Sequence, residues 1–254
     1  MDWRAIVREV MCIWRIPSDP MSGNDTGSMG PPRSRSHGVS LTDLARWILH
    51  ALRHSRAMPY LFVARRSPRR EIIAYDLDRW VTATGLRESG PATWPDDFLE
   101  LLVRYPEFRN LVGHRVRPTG SLTDRLVLWI AERCLPPLDS LFLATDEIGP
   151  GLFIHHGFST IVAAVSIGRD CWINQQVTIG YTGKGKAPVI GDGVGIAAGA
   201  IVIGPVTVGD GAVVGAGAVV VNDVPPGSTV VGVAARVVRE HRNGADASNG
   251  ANHT

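Results

Sequence analysis

The sequence predicts a parallel β-solenoid preceded by an α-rich region. Isoleucine or valine returns at intervals of six residues through most of the second half of the chain, and glycine, 28 residues in all, concentrates there. The first half instead carries apolar residues at helical spacing. A period of six fits neither the 3.6-residue period of a helix nor the two-residue period of a flat strand, but it fits short strands joined by tight turns.

The first half contains several candidate helices. The pattern predicts helices over 41–55, Asp76–Thr84, Asp96–Phe108 (ending around Pro106) and Asp124–Cys134, with 59–75 extended or mixed. The stretch 21–39 is rich in Gly, Ser, Pro and Arg, which is typical of a linker. We therefore predict four regions: a weakly ordered segment 1–39, a helical domain 40–140, a solenoid 141–240 and a disordered tail 241–254.

The repeat of six is traced by twelve aliphatic residues. They are Ile148, Ile154, Ile161, Ile167, Ile173, Ile179, Ile190, Ile196, Val202, Val208, Val214 and Val220. Three hexads make one triangular coil, so twelve supply about four coils. The phase breaks twice, with one extra residue between Ile154 and Ile161 and five between Ile179 and Ile190. A stacked repeat tolerates insertions where loops leave the prism, and such loops often carry function.

Composition excludes several classes of protein. The chain has 254 residues, with 26 Lys and Arg against 24 Asp and Glu, so its bulk charge does not indicate binding to nucleic acid or to a membrane surface. No apolar run approaches the length of a membrane span, and no signal peptide is expected at the N-terminus. Three cysteines, none in CxxC spacing, predict neither a disulfide framework nor a zinc knuckle, and they favour the cytoplasm.

Two stretches carry a family resemblance. The hexad is the signature of the hexapeptide-repeat acyltransferases, whose fold is a left-handed parallel β-helix. The residues GLFIHHGFSTIVAAVSIGRDCWINQQVTIGYTGKGKAPVIGDGV and NDVPPGSTVVGVAARVV resemble, more narrowly, the serine O-acetyltransferase family. Upstream, YPEFRNLVGHRV (Tyr105–Val116) is similar to that family's YPGFHAL-x-x-HR segment, which joins the helical cap to the solenoid. The resemblance covers roughly residues 96–240.

The resemblance implies an acetyl-CoA-dependent O-acetyltransferase of L-serine, active in cysteine biosynthesis. Such enzymes are homotrimers, or dimers of trimers, with acetyl-CoA in the groove between neighbouring solenoids. The motif places the catalytic histidine at His156, as general base in a direct transfer without a covalent intermediate. An imidazole can accept a hydroxyl proton at neutral pH, and backbone N–H groups of this loop are expected to stabilise the oxyanion.

The same resemblance suggests binding residues. The acceptor-binding candidates are His155, Gln176 and Lys186. The cofactor-binding candidates are Gly180, Thr182, Lys184, Ala197, Ala198 and Arg236. Residues 182–186 form a Gly-rich, basic loop that does not have the spacing of a P-loop, and Arg236 matches the basic residue of the family's GVPAR ending. No metal site is predicted.

The chain departs from the family pattern at several positions. His155 stands where the serine enzymes often have an aspartate, and Lys186-Ala187-Pro188 stands where they have Arg-His-Pro. The carboxylate that orients the catalytic imidazole falls near Leu141, so Asp139, Asp146 and Glu147 are open as substitutes.

The sequence also bears on other functions and on one protein partner. A sugar or another small hydroxyl acceptor, and a non-catalytic β-helix scaffold, stay open as alternatives. A zinc carbonic anhydrase on the same fold is disfavoured because no histidine lies between Gly157 and Glu240. The polar tail ends in Thr254 instead of the isoleucine that docks into cysteine synthase, so no complex with that enzyme is expected by this route.

Overall fold

The structure is a computed structural model that describes Leu49 and residues 51–87, 90–117, 121–183 and 185–239. The predicted segment 1–39, most of the predicted helix 41–55, Lys184 and the tail 241–254 lie outside the described residues. Residues 51–55, which belong to that helix, are helical. No helix in the described ranges has both the length and the apolarity to cross a membrane.

Five named helices precede the solenoid in the described part of the chain. They are α1 (Met58–Arg66), α2 (Arg70–Thr84), α3 (Asp96–Arg104), α4 (Pro106–Val116) and α5 (Leu122–Cys134). The prediction of extended or mixed structure over 59–75 is wrong: Tyr60, Leu61 and Val63 bury one face of α1, which begins with Pro59 in its first turn. The predicted helix 96–108 is two helices, because Pro106 begins a new one after the extended Tyr105.

The rest of the described chain folds as short strands. They are β1 (Leu141–Leu143), β2 (Glu147–Ile148), β3 (Phe153–His155), β4 (Thr160–Val162), β5 (Ser166–Ile167), β6 (Trp172–Asn174), β7 (Thr178–Gly180), β8 (Val189–Ile190), β9 (Gly195–Ile196), β10 (Ile201–Ile203), β11 (Thr207–Val208), β12 (Val213–Val214), β13 (Val219–Val220), β14 (Thr229–Val231) and β15 (Arg236–Arg239).

These strands form a left-handed β-helix, which confirms the predicted fold class. The first sheet has the order β1-β4-β7-β10-β13, the second β11-β8-β5-β2, and the third β15-β14-β12-β9-β6-β3. All neighbouring pairs are parallel except β14 and β15. The five strands of the first sheet mark five coils where the hexad count predicts about four, because β1 begins a coil with leucines that the Ile/Val pattern does not include.

The interior of the prism follows the predicted hexads with one exception. Eleven of the twelve aliphatic residues are buried, but Ile161 is 45% exposed. Its neighbour Val162 is fully buried and lies in register with Ile179. The turn before β4 is thus one residue longer than the hexad phase suggests, and the step from Val162 to Ile167 is one residue shorter.

Glycines let neighbouring coils stack tightly where the chain passes from the second sheet to the third. A methyl group at Gly168 would lie 2.3 Å from Asp192 Oδ1 and 2.5 Å from the carbonyl carbon of Gly191. Asp192 Oδ1 already accepts a hydrogen bond from the Arg169 N–H at 2.7 Å, so this coil has little room to shift.

Gly168→Ala is therefore expected to lower the free energy of unfolding by about 2 kcal/mol. Gly195→Ala is the matched control on the same solenoid, since a methyl group there meets nothing closer than Val213 Cγ2 at 3.9 Å. Urea unfolding of both variants measures the difference. Equal unfolding midpoints for the two variants would contradict this description of the stacking.

A buried ion pair docks the helices on the first coil. Arg115 Nε of α4 lies 2.9 Å from Asp76 Oδ2 of α2, and both side chains are 1% exposed. Asp76 Oδ1 accepts a hydrogen bond from the Gly151 N–H at 2.7 Å, and Trp80 Nε1 donates to the Leu152 carbonyl at 2.9 Å. Burial raises the pKa of Asp76, against the opposing effect of the Arg115 charge. The helical region and the first coil are thus joined by a buried polar contact.

Candidate active site

His156 lies in the turn that follows β3 and leads to the first sheet. Its side chain is exposed and its φ is +55°, in the left-handed region that residues other than glycine rarely adopt. Its carbonyl oxygen accepts a hydrogen bond from the Phe158 N–H at 2.8 Å, which closes the turn. The histidine that the motif selects is therefore presented to solvent on a tightly folded corner.

The residues around His156 hold this turn. The Gly157 N–H donates to Glu107 Oε1 of α4 at 3.2 Å, and the Thr160 N–H donates to the Ser140 carbonyl at 3.1 Å. A methyl group at Gly157 would lie 2.7 Å from Ile154 Cγ2, so the turn packs closely on the solenoid interior. Because the N–H groups of Gly157 and Phe158 are bonded internally, neither is available in this conformation as the expected oxyanion donor.

His155 lies beside His156 in a polar and aromatic cluster. The two imidazole centroids are 4.0 Å apart, and the His155 ring lies nearly perpendicular to Trp172 at 5.9 Å. His155 Nδ1 lies 3.3 Å from Asn174 Oδ1, while Asn174 Nδ2 donates to the Ile196 carbonyl at 3.4 Å. Because the amide oxygen can only accept, a hydrogen bond between these two side chains requires a proton on His155 Nδ1.

Several predicted residues stack along one edge of the prism. We call this the His156 edge: residues 156–160, 175–177 and 197–200, which connect the third sheet to the first. The Gln176 N–H donates to the Phe158 carbonyl at 3.0 Å, and the Gly217 N–H on the next coil donates to the Ala198 carbonyl at 2.9 Å. The structure thus brings His155, His156, Gln176, Ala197 and Ala198 together on neighbouring coils.

The basic insertion lies at another edge. We call residues 181–183 and 185–188, between the first and second sheets, the Lys186 loop; Gly180 immediately precedes it. Thr182 and Lys186 are exposed, and the Thr182 carbonyl accepts a hydrogen bond from the Gly185 N–H at 2.8 Å. A shallow groove lined by residues that include Phe142, Ile161 and Tyr181 follows the outer face of the first sheet. Within one chain, this sheet separates the Lys186 loop from the His156 edge.

Arg236 lies far from the coil of His156. It begins β15, an exposed strand at the opposite end of the third sheet from β3. Five strand spacings of about 4.8 Å separate these strands, so Arg236 is roughly 24 Å from the coil of His156. Within one chain the structure does not bring Arg236 to the candidate catalytic residue.

The carboxylate that contacts the His156 turn is not one of the three suggested by the sequence. Asp139, Asp146 and Glu147 are exposed, and Glu147 belongs to the second sheet, away from the His156 edge. In the described part of the chain, the carboxylate bonded to the turn is Glu107. Sequence reasoning missed it because it precedes His156 by 49 residues and belongs to a helix. Within the described ranges, no group of three or more His, Cys, Asp or Glu side chains is arranged to hold a metal ion.

Comparison with known proteins gives consistent relatives, although no family model matches the chain. It is 38% identical over 149 residues to the serine acetyltransferase of Synechococcus elongatus, a match that covers 55% of this chain and 60% of that protein. It is also 38% identical over 152 residues to the serine acetyltransferase of Helicobacter pylori, covering 56% of this chain and 87% of that protein. A solved structure of soybean serine acetyltransferase complexed with serine is similar, with 34% identity, a TM-score of 0.50, and coverage of 66% of this chain and 69% of that one.

Proposed function

Since this chain belongs to the serine acetyltransferase family, we propose that it transfers the acetyl group of acetyl-CoA to the hydroxyl group of L-serine. The observation that carries the proposal is the placement of His156: an exposed imidazole on a turn that the structure holds in a strained conformation. Strain of this kind is concentrated at functional sites. The complex of the soybean relative with serine supports serine as the acceptor.

His156 acts as the general base of the transfer. Its imidazole removes the proton from the serine hydroxyl as the oxygen attacks the thioester carbonyl carbon. The tetrahedral intermediate then collapses, the carbon–sulfur bond breaks, and the imidazolium returns the proton to the departing CoA thiolate. The products are O-acetylserine and CoA, and the histidine ends in its starting state. Positioning both substrates on one corner supplies much of the rate advantage.

The site is completed by a neighbouring copy of the chain. The His156 edge and the Lys186 loop flank the first sheet, so a trimer can set the edge of one copy against the loop of the next. Exposed Phe142, Ile161 and Tyr181 on the intervening face support this packing. Acetyl-CoA then lies between Gly180 and Thr182 of one copy and Ala197 and Ala198 of the other. Arg236, at the far end of the solenoid, binds the CoA phosphates. A dimer of such trimers is equally compatible with this site.

The acceptor is bound by His155, Gln176 and Lys186. Lys186 pairs with the carboxylate of serine. A second acceptor class is favoured by one observation: the side chains around His155 are Asn174 and Trp172, which offer no carboxylate to an ammonium group. A neutral hydroxyl compound such as a sugar is therefore the second candidate. An aromatic side chain beside His155, an acceptor-binding residue, suits such an acceptor.

Product identification tests the proposal. Wild-type protein is incubated with acetyl-CoA and either L-serine or one of a panel of sugars and amino alcohols, and products are identified by mass spectrometry. We expect O-acetylserine. If only another acceptor is acetylated, the protein is an acetyltransferase whose acceptor is not serine. If no acceptor is acetylated and CoA does not bind, the scaffold alternative is correct instead.

We also place the enzyme in the cytoplasm. Cys134 and Cys171, the cysteines among the described residues, are both unpaired, which supports a reducing compartment. Burial raises the pKa of Cys171 to about 11, so its thiol stays protonated. The prediction that no complex forms with cysteine synthase rests on residues 241–254, outside the described ranges, and stays a prediction.

A further inference from the structure

We infer that Glu107 is the positioning residue for His156, an assignment that rests on the proposed function. Glu107 belongs to α4 and is 9% exposed, and its Oε1 accepts the hydrogen bond of the Gly157 N–H at 3.2 Å. Gly157 directly follows His156, whose positive φ is unfavourable for a residue with a side chain. The carboxylate therefore holds the turn in the conformation that presents the imidazole.

Glu107 and Leu141 face the turn from adjacent positions. A methyl group at Gly157 would lie 3.2 Å from both Glu107 Cγ and Leu141 Cδ2, so the two side chains meet the turn at the same place. Position 141, near which the family resemblance puts an orienting carboxylate, is apolar here. The acidic group lies instead at position 107 of the helix, where the family's YPGFHAL-x-x-HR segment has glycine.

Hydrogen bonds to neighbouring backbone hold helix α4, and with it Glu107, in place. Asn110 Nδ2 donates to the Leu138 carbonyl at 3.0 Å, and the Leu138 N–H donates back to Asn110 Oδ1 at 2.8 Å. Five residues further along the helix, Arg115 Nη2 donates to the Gly149 carbonyl at 2.7 Å, and Arg115 also pairs with Asp76. Glu107 thus reaches the turn from a helix that is hydrogen-bonded to the chain just before β1 and to the bend after β2.

Two matched variants test the assignment. Glu107→Met fills a similar volume without the acceptor oxygens, whereas Glu107→Gln keeps an oxygen that can accept the Gly157 N–H. We expect Glu107→Met to lower kcat by about 10- to 100-fold and to change KM for acetyl-CoA by less than about threefold, because a misplaced base slows chemistry more than binding. Glu107→Gln should retain kcat within about fivefold.

Amide hydrogen exchange supplies a readout that does not need turnover. The Gly157 amide should be protected in the wild type and in Glu107→Gln, and should exchange at least about tenfold faster in Glu107→Met. Leu141→Asp in the Glu107→Met background should recover part of kcat, since aspartate oxygens occupy the space of the leucine methyl groups. An inactive wild type would refute the proposed function, while the Gly157 exchange would still decide the role of Glu107. Wild-type kcat in Glu107→Met, or an unprotected Gly157 amide in the wild type, would overturn the inference.

Discussion

Replacing His156 with alanine is expected to lower kcat/KM for serine-dependent CoA release by at least about a hundredfold. The variant has no group on this turn that can take the hydroxyl proton as the acceptor attacks the thioester. Its folding should be unchanged, because the His156 side chain is exposed and the hydrogen bond that closes the turn is accepted by its backbone carbonyl. Steady-state assays of CoA release, with melting temperatures measured in parallel, provide the test.

His155→Ala is the matched control, since the two imidazoles are 4.0 Å apart and differ in their proposed roles. We expect this variant to raise KM for the acceptor while kcat falls by less than about tenfold. A His155 variant that loses as much kcat as His156→Ala, or a His156→Ala variant with wild-type turnover, would show that the base has been assigned to the wrong histidine.

Asp76→Ala is expected to lower the free energy of unfolding by about 3–5 kcal/mol. The change leaves the buried guanidinium of Arg115 without its carboxylate and removes the acceptor of the Gly151 N–H. Both losses fall at the contact between the helices and the first coil, two residues before β3 begins. Urea unfolding monitored by circular dichroism measures the change.

Asp78→Ala, on the same helix, is the control for Asp76. Asp78 is exposed and accepts a hydrogen bond from the Ala92 N–H at 3.1 Å, so its loss should cost less than about 1 kcal/mol. If the two substitutions lowered the free energy of unfolding equally, the ion pair would not be what holds the helical region on the first coil.

The solenoid could be predicted from the sequence because most of its strands bury a single aliphatic side chain in the interior of the prism. The same residue types must therefore return with every side of the prism, as Ile173, Ile179 and Val202 do. The hexad pattern places Ile161 in the interior, but the buried residue is Val162. Ile and Val are adjacent there, and the pattern alone cannot tell which of them points inward. It also failed for 59–75, where tertiary packing of Tyr60 and Leu61 favours a helix over local preference.

The candidate site was less predictable than the fold. His156 could be predicted because a family motif and an interruption of the six-residue repeat coincide there. Glu107 gave no such signal, because its contact with the turn depends on how α4 docks on the solenoid. The separation of the Lys186 loop from the His156 edge follows from the order of the three sheets, which spacing along the chain does not specify.

The most direct test of the central claim is the rate of CoA release from acetyl-CoA as L-serine is added to the wild-type protein. We predict a rate that rises with serine concentration and saturates, with one O-acetylserine formed for each CoA released. A rate that is the same with and without serine, or no release at all, would contradict the assignment of this chain as a serine acetyltransferase.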